Sequence, residues 1–563
     1  MRFKSTGLWS TLAFLAACAN PPPPEAPSSP PAQATEKPAI PAPPDEGFRK
    51  TPPPPDPAVA FVPPKIQEAR LPNGMRLLLV ERRDLPVVAV EISNDRGADQ
   101  AAPGVGGFVG ALLTQGTKTR SAIAFSDAMG RIGARFEARV GHDGGLVGGA
   151  ALSTHFGELL TLLGDAYMNP AFAKGDVDRE RSRRLTSLAQ MNDSPASLLG
   201  IAVSRALYPA NHAYAAPLIG TEKALEKIRQ ADLAAFHAAY FQPDATTVAI
   251  AGDIDREQAI REVERVFGGW KGKAKAAKEP GAPPADASGA KVVILDRPGL
   301  TQSTLSVALS GVTRANPDYE AILVMNGLLG GQFTSRLNLN LREKHAYTYG
   351  ARSMFEMRHG PGPFTAGGAI VGESTGPAVR EIFTEIRRIR EEPVSAEELS
   401  DVKENLIAQL PARFETVGTT ANSLSGLAMY RLPLDEYATR AAKLQRVTRE
   451  DVQRVAQKYL NVDAMRLIMV ADAAQVRPQL QVLGLGPISV EAPPGGATQS
   501  QGLGAKPGPA GATPPGAGAQ PPGAKLPTPT AGPKALPPQP PGKGPPPPPP
   551  PIEAPRPKAP RSP

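Results

Sequence analysis

The sequence predicts an α+β protein in which two domains of one fold, each an antiparallel-rich sheet covered by helices, follow in tandem between disordered proline-rich segments. Three observations carry this reading. The 65 prolines of the 563 residues are concentrated towards the ends, so composition separates a folded middle from two flanks that cannot bury a core. Within the middle, strand-like and helix-like hydrophobic patterns alternate. The middle also matches itself: ADLAAFHAAYFQPDATTVAIAGDID (Ala231–Asp255) aligns without a gap on EDVQRVAQKYLNVDAMRLIMVADAA (Glu450–Ala474). Asp232 falls on Asp451, Tyr240 on Tyr459, Asp244 on Asp463, Ala245 on Ala464 and Asp253 on Asp472, each 219 positions apart. Each copy reads as an amphipathic helix, a turn at Asp-Ala and an apolar strand.

Residues 1–17, in MRFKSTGLWSTLAFLAAC, read as an export signal: a basic start at Arg2 and Lys4, then an apolar run from Leu8 to Ala17 too short to span a bilayer. Leu15-Ala16-Ala17-Cys18 resembles a bacterial lipobox, so Cys18 is the expected lipidation site; a plain signal peptide is the other reading. Cys18 is the only cysteine, which excludes an internal disulfide framework. Several acyl chains anchor firmly because each buried CH₂ contributes about 0.8 kcal/mol. The expected location is the cell envelope, held by a lipid anchor. Ala19 and Asn20, in place of the aspartate associated with inner-membrane retention, point to the outer membrane facing the periplasm.

Residues 18–64 form a Pro/Ala-rich spacer, stiff at roughly 3.1 Å per residue. Residues 486–563 repeat that chemistry as a basic tail. Its seven Lys and Arg residues stand against Glu491 and Glu553, which accounts for +5 of the formal net charge of +8. The basic balance is therefore a property of the tail and gives no argument for nucleic acid binding.

The folded middle divides into residues 65–283 and 284–485. GMRLLLVERRDLPVVAVEISNDRG reads as two adjacent strands joined at Asp84–Pro86, and KVVILDRPGLTQSTLSVALSG as their counterparts opening the second domain. SAIAFSDAMGRIGARFEARVGHDGGLVGGAAL passes from a helix to a strand pair. HFGELLTLLGDAYMNP and DYEAILVMNGLLGG carry apolar residues at helical spacing.

Four segments give this middle a resemblance to the insulinase and pitrilysin family of zinc peptidases, in particular its two-domain, mitochondrial-processing-peptidase-like bacterial branch. They are LPNGMRLLLV, GGFVGALLTQGTKTRS, LYPANHAYAAPLIGTEKALEKI and, most specifically, GLLGGQFTSRLNLNLREKHAYTYGARS. The resemblance covers about Ile66 to Gln481. It implies a helix carrying HxxEH, because residues at i, i+3 and i+4 share one face and let two imidazoles hold zinc beside a glutamate base. The three positions fall here on Gly107, Gly110 and Ala111. A third ligand, a glutamate, is implied near Thr186–Leu188, yet no acidic residue lies between Glu180 and Asp193. No metal ligand of the family is retained, and the cleared helix face is expected to leave a shallow groove.

No replacement metal site is evident from spacing: no two of His142, His155, His212, His237, His345 and His359 lie three to five apart, and His142-Asp143 is the nearest approach to a ligand pair. His212 and His237 read as packed or hydrogen-bonded. Active relatives use an arginine and a tyrosine seven apart in a segment like REKxGLAY to hold substrate and polarise its carbonyl. The resemblance assigns these roles, as substrate-binding residues, to Arg342 and Tyr349 in LREKHAYTYG. The bland alternative is an Arg342–Glu343 ion pair with a packed Tyr349; Tyr347 is the phenol if the segment shifts. Ala346-Tyr347 departs from the usual Gly-Leu.

What the resemblance implies is a non-catalytic, substrate-binding subunit of a heterodimeric zinc peptidase on the envelope. Its partner would be a zinc-bearing family paralogue that supplies the only cofactor, and its substrate a peptide. A peptide-binding or scaffolding lipoprotein without a peptidase role is the second reading, and a peptidase active by itself the third.

Overall fold

β6 (Thr246–Gly252, TTVAIAG) is buried at every residue, and a strand apolar on both faces belongs at the centre of a sheet. The computed structural model describes residues 61–281 and 290–493, and these described residues fall in one compact unit. The expected export signal, Cys18, most of the spacer, the 283/284 boundary and the tail beyond 493 lie outside the described residues.

The first half contains β1 (Gln67–Arg70), β2 (Arg76–Glu81), β3 (Val87–Asn94), helix α1 (Val105–Leu112), β4 (Arg135–Val140), β5 (Gly145–Leu152), helices α2 (Lys174–Asp193), α3 (Pro195–Leu207) and α4 (Gln230–Tyr240), then β6. Its sheet runs β1-β2-β6-β3-β5-β4. In the second half are β7 (Val292–Asp296), β8 (Gln302–Ser310), β9 (Thr348–Phe355), β10 (Pro363–Val371), helices α5 (Val417–Met429) and α6 (Arg449–Tyr459), β11 (Arg466–Ala471) and β12 (Ile488–Glu491). That sheet runs β12-β7-β11-β8-β10-β9. Five strands correspond in order; the sixth comes from the start of the chain in one half and from its end in the other.

The internal repeat is reproduced closely. α4 and α6 begin and end 219 positions apart, and each is capped by the repeated aspartate, Asp232 accepting from the Arg229 amide (2.8 Å) and Asp451 from the Thr448 amide (3.1 Å). Two expectations need correction. β2 and β3, read as adjacent, are separated by β6, which pairs parallel with β2 and antiparallel with β3; β11 divides β7 from β8 likewise. β6 arrives more than 150 residues after β3 and inserts between the two strands, a long-range pairing that chain order does not reveal. The second domain also continues past Leu485, because Ile488–Glu491 pairs parallel with β7 as an edge strand. Its two apolar residues are too few to stand out from the Gly/Pro-rich sequence around them. At the other end Phe61, assigned to the spacer, packs on Phe414 with centroids 5.8 Å apart.

Each sheet buries one face under helices of its own half. The other faces are covered by exchange. Leu198, Ala202, Val203 and Leu207 of α3 pack on Leu295, Ala308, Ile468 and Val470 of the second sheet. Ala421, Leu424 and Leu427 of α5 pack on Leu78, Val80, Ala89, Ala249 and Ala251 of the first. With roughly 1.5–3 kcal/mol for each large aliphatic side chain buried, neither half closes its core without a helix from the other. Among the described residues no helix is long and apolar enough to cross a membrane.

Candidate functional site

α1, VGGFVGAL, presents no polar side chain; Phe108, Val109 and Leu112 anchor it in the core. Its small residues serve close packing. A Cβ at Gly107 would lie 2.4 Å from the Leu218 carbonyl oxygen, and one at Gly110 would lie 2.5 Å from the Val140 amide nitrogen of β4. The shallow groove expected here is therefore filled, by neighbouring backbone on two sides.

It is also filled by charge. On α2 the positions Thr186–Leu188 carry no ligand; Thr186 is exposed and donates to the Ser182 carbonyl. The α2 side chain that reaches α1 is Arg184, buried, which donates to the Gly107 carbonyl (2.6 Å), the Ile219 carbonyl (3.2 Å) and the buried Glu180 carboxylate (2.7 Å). Its guanidinium stands 5.1 Å from the Phe108 ring centroid. Gly107, Gly110 and Ala111 offer no ligand atom, and a fixed cation adjoins them, so this face does not fit a zinc ion. Arg184 was missed at the sequence level, although Glu180 and Arg184 stand at the i,i+4 spacing of a helical ion pair.

Arg342 lies in a wide π-type turn over Leu339–Lys344, a distortion frequent at functional sites. Its Nε is 3.3 Å from Glu343 Oε1 and its guanidinium 4.6 Å from the Phe333 ring centroid, so the ion pair of the bland alternative is present in a partly exposed arginine. Tyr349 is not packed: on the edge strand β9 it is 91% exposed. Tyr347 is half-buried, stacked on His345 at 4.9 Å, and packs against the second core. Ala346 has φ +54°, the left-handed backbone that the family's usual glycine adopts at no cost. The departure at Ala346-Tyr347 therefore leaves a glycine-type turn. Phe333 and Leu339 are also exposed on this half, giving an apolar surface around Arg342.

The pair His142-Asp143 is divided in role. Burial pushes His142 down to about 3, and its Nδ1 has no partner. Asp143 is buried and accepts hydrogen bonds from Tyr214 and, across the two halves, from Tyr430, both at 3.1 Å. Asp99 and His359 join it. Burial, with the Asp143 carboxylate as neighbour, holds Asp99 up at about 6. Sequence spacing could not bring these residues together, because they come from three distant segments. His212 accepts the Tyr214 amide at Nδ1 (3.1 Å), and His237 Nε2 bonds the Tyr167 carbonyl (2.7 Å).

Comparison with known proteins gives two family matches. The model "Insulinase (Peptidase family M16)" matches residues 95–222 and "Peptidase M16 inactive domain" matches residues 227–406, together more than half the chain. An uncharacterized zinc protease of Bacillus subtilis is 23% identical over 350 residues, 62% of this chain and 84% of that protein. One from Mycobacterium tuberculosis is 24% identical over 416 residues, 72% and 93% of the two chains. The solved peptidase M16 inactive domain of Pseudomonas fluorescens superposes with a TM-score of 0.67 at 26% identity, covering 72% of this chain and 98% of its own. A protease from Helicobacter pylori, at 19% identity and a TM-score of 0.67 over 72% and 99% of the two chains, shares the fold.

Proposed function

Because this chain belongs to the insulinase family of peptidases, family M16, we propose that it is the non-catalytic, substrate-binding subunit of an envelope-associated heterodimeric zinc peptidase. One contrast carries the reading: the helix face where the family's metal would stand is glycine and alanine backed by Arg184, while Arg342 and Tyr349 remain at a solvent-facing surface. A surface that had lost every role would have no reason to keep an exposed phenol on an edge strand.

In this reading the partner is a family paralogue with HxxEH intact, and it supplies zinc and the general base. This chain's residues bind and orient. The Arg342 guanidinium, freed from Glu343, donates to a substrate carbonyl, and the Tyr349 hydroxyl donates to the oxygen that gains charge as the scissile carbonyl is attacked. Acylation at Cys18 tethers the subunit to the membrane, and the proline-rich spacer carries the fold away from the lipid.

Affinity purification of the chain from its native envelope, with identification of what accompanies it, tests the pairing. Recovery of an HxxEH-bearing family member is the expected result. Recovery of a homodimer alone would favour a peptide-binding scaffold, and chelator-sensitive cleavage by the pure chain would contradict both.

A further inference from the structure

The junction of the two halves holds three hydrogen-bond acceptors that face one another with no donor between them. One ligand-capable atom from each of Asp99, Asp143 and His359 lies within 4.8 Å of the others. His359 Nε2 is 2.8 Å from the Met429 carbonyl oxygen, which can only accept, so Nε2 carries the hydrogen and the Nδ1 lone pair is left facing the carboxylates. Nδ1 is 4.0 Å from Asp143 Oδ1, too far for a hydrogen bond. Both Asp143 oxygens already accept from a tyrosine. Asp99 Oδ2 accepts from Gln100 at 2.8 Å, but Asp99 Oδ1 is sealed from solvent with no partner.

The nearby cation does not supply what is missing, because Arg358 is engaged by Glu356 through both Nε and Nη2. A carboxylate with one oxygen orphaned and sealed from solvent, clustered with a second carboxylate and a bare imidazole nitrogen, lacks a cation. The surroundings resemble a ligand's outer shell: an imidazole oriented by N–H donation to a carbonyl, and a carboxylate held by two hydroxyls.

We propose that Asp99, Asp143 and His359 bind one divalent transition-metal cation of the zinc or manganese type, joining the two halves. One imidazole and two carboxylates suit such an ion; calcium, which takes oxygen ligands alone, gains nothing from His359. Asp99 comes from the 3-10 turn Ala98–Gln100 before α1, Asp143 from the loop before β5, and His359 from the hairpin between β9 and β10, so the ion fastens the junction. This site is separate from the cleared face of α1 and does not depend on a partner subunit.

The test is titration of the purified full chain, stripped with EDTA, with Zn²⁺, Mn²⁺ and Ca²⁺, read by calorimetry and by melting temperature. The expected result is one Zn²⁺ or Mn²⁺ per chain with a raised melting temperature, and no response to Ca²⁺. His359→Gln, whose amide can still donate to Met429, and Asp99→Asn should each weaken binding by about 10–100-fold while leaving the EDTA-stripped chain folded. Absence of binding, or binding unchanged in both variants, would overturn the proposal; in the first case a proton shared among the three side chains replaces the ion.

Discussion

At the scale of single residues, Gly110 shows how local preference and packing conflict. Alanine favours a helix by about 1 kcal/mol over glycine, yet a Cβ there would sit 2.5 Å from the Val140 amide. The overlap is with backbone, which cannot rotate away. Gly110→Ala should therefore destabilise the chain by about 1–3 kcal/mol, measured by chemical denaturation, although helix propensity alone predicts the opposite sign. Glu91 supplies a second expectation. It lies in a cleft of about 840 Å³ between the first sheet and α5, with Oε2 unpartnered, and burial raises its carboxyl to about 7. Between the ordinary value of 4.5 and about 7 the folded chain holds a proton that the unfolded chain has released. Stability contributed at this residue is therefore lost as pH rises through that window, on the order of 3 kcal/mol in all. Glu91→Gln should raise the melting temperature at pH 8 and change it little at pH 4.5; an equal shift at both would remove ionisation as the cause.

At the scale of elements, the parts legible in the sequence are those set by local pattern. The 219-residue offset places α4 on α6 with matching ends because capping aspartate, helix period and following apolar strand are all local signals. Strand neighbours were not legible. β6 separates β2 from β3 by a long-range pairing that chain order does not reveal. The exchange of α3 and α5 was hidden likewise: an apolar helix face announces that it will be buried, not against which half. The exchange predicts that Leu198→Ala on α3 and Leu424→Ala on α5 each cost about 2–5 kcal/mol. It also predicts that either variant lowers the stability of both halves together in a single unfolding transition, followed by circular dichroism and by fluorescence of Trp270. Two separate transitions would show that the halves fold independently.

At the scale of the whole molecule, the candidate site was legible in what it lacked and partly in what it kept. Gly107, Gly110 and Ala111 cannot ligate zinc at any alignment, which the residue types alone establish. That the space is closed by Leu218, Val140 and Arg184 needed three dimensions, because those residues come from a loop, a strand and a second helix. For the Arg/Tyr segment, the family resemblance named Arg342 and Tyr349 and left Tyr347 open. Exposure separates the two phenols, Tyr349 facing solvent and Tyr347 stacked on His345. The junction of Asp99, Asp143 and His359 had no sequence signal beyond the adjacent His142-Asp143.

The proposal that this chain, with its closed metal face and open Arg/Tyr surface, supplies half of an active site is tested most directly by kcat/KM of the reconstituted pair. Purified zinc-bearing paralogue should cleave a peptide substrate efficiently only when this chain is added. Replacing Arg342 by Ala or Tyr349 by Phe in this chain should lower kcat/KM by about 10²-fold while the pair still forms. Cleavage by the paralogue that is indifferent to the presence of this chain, or to Arg342→Ala within it, would contradict the account.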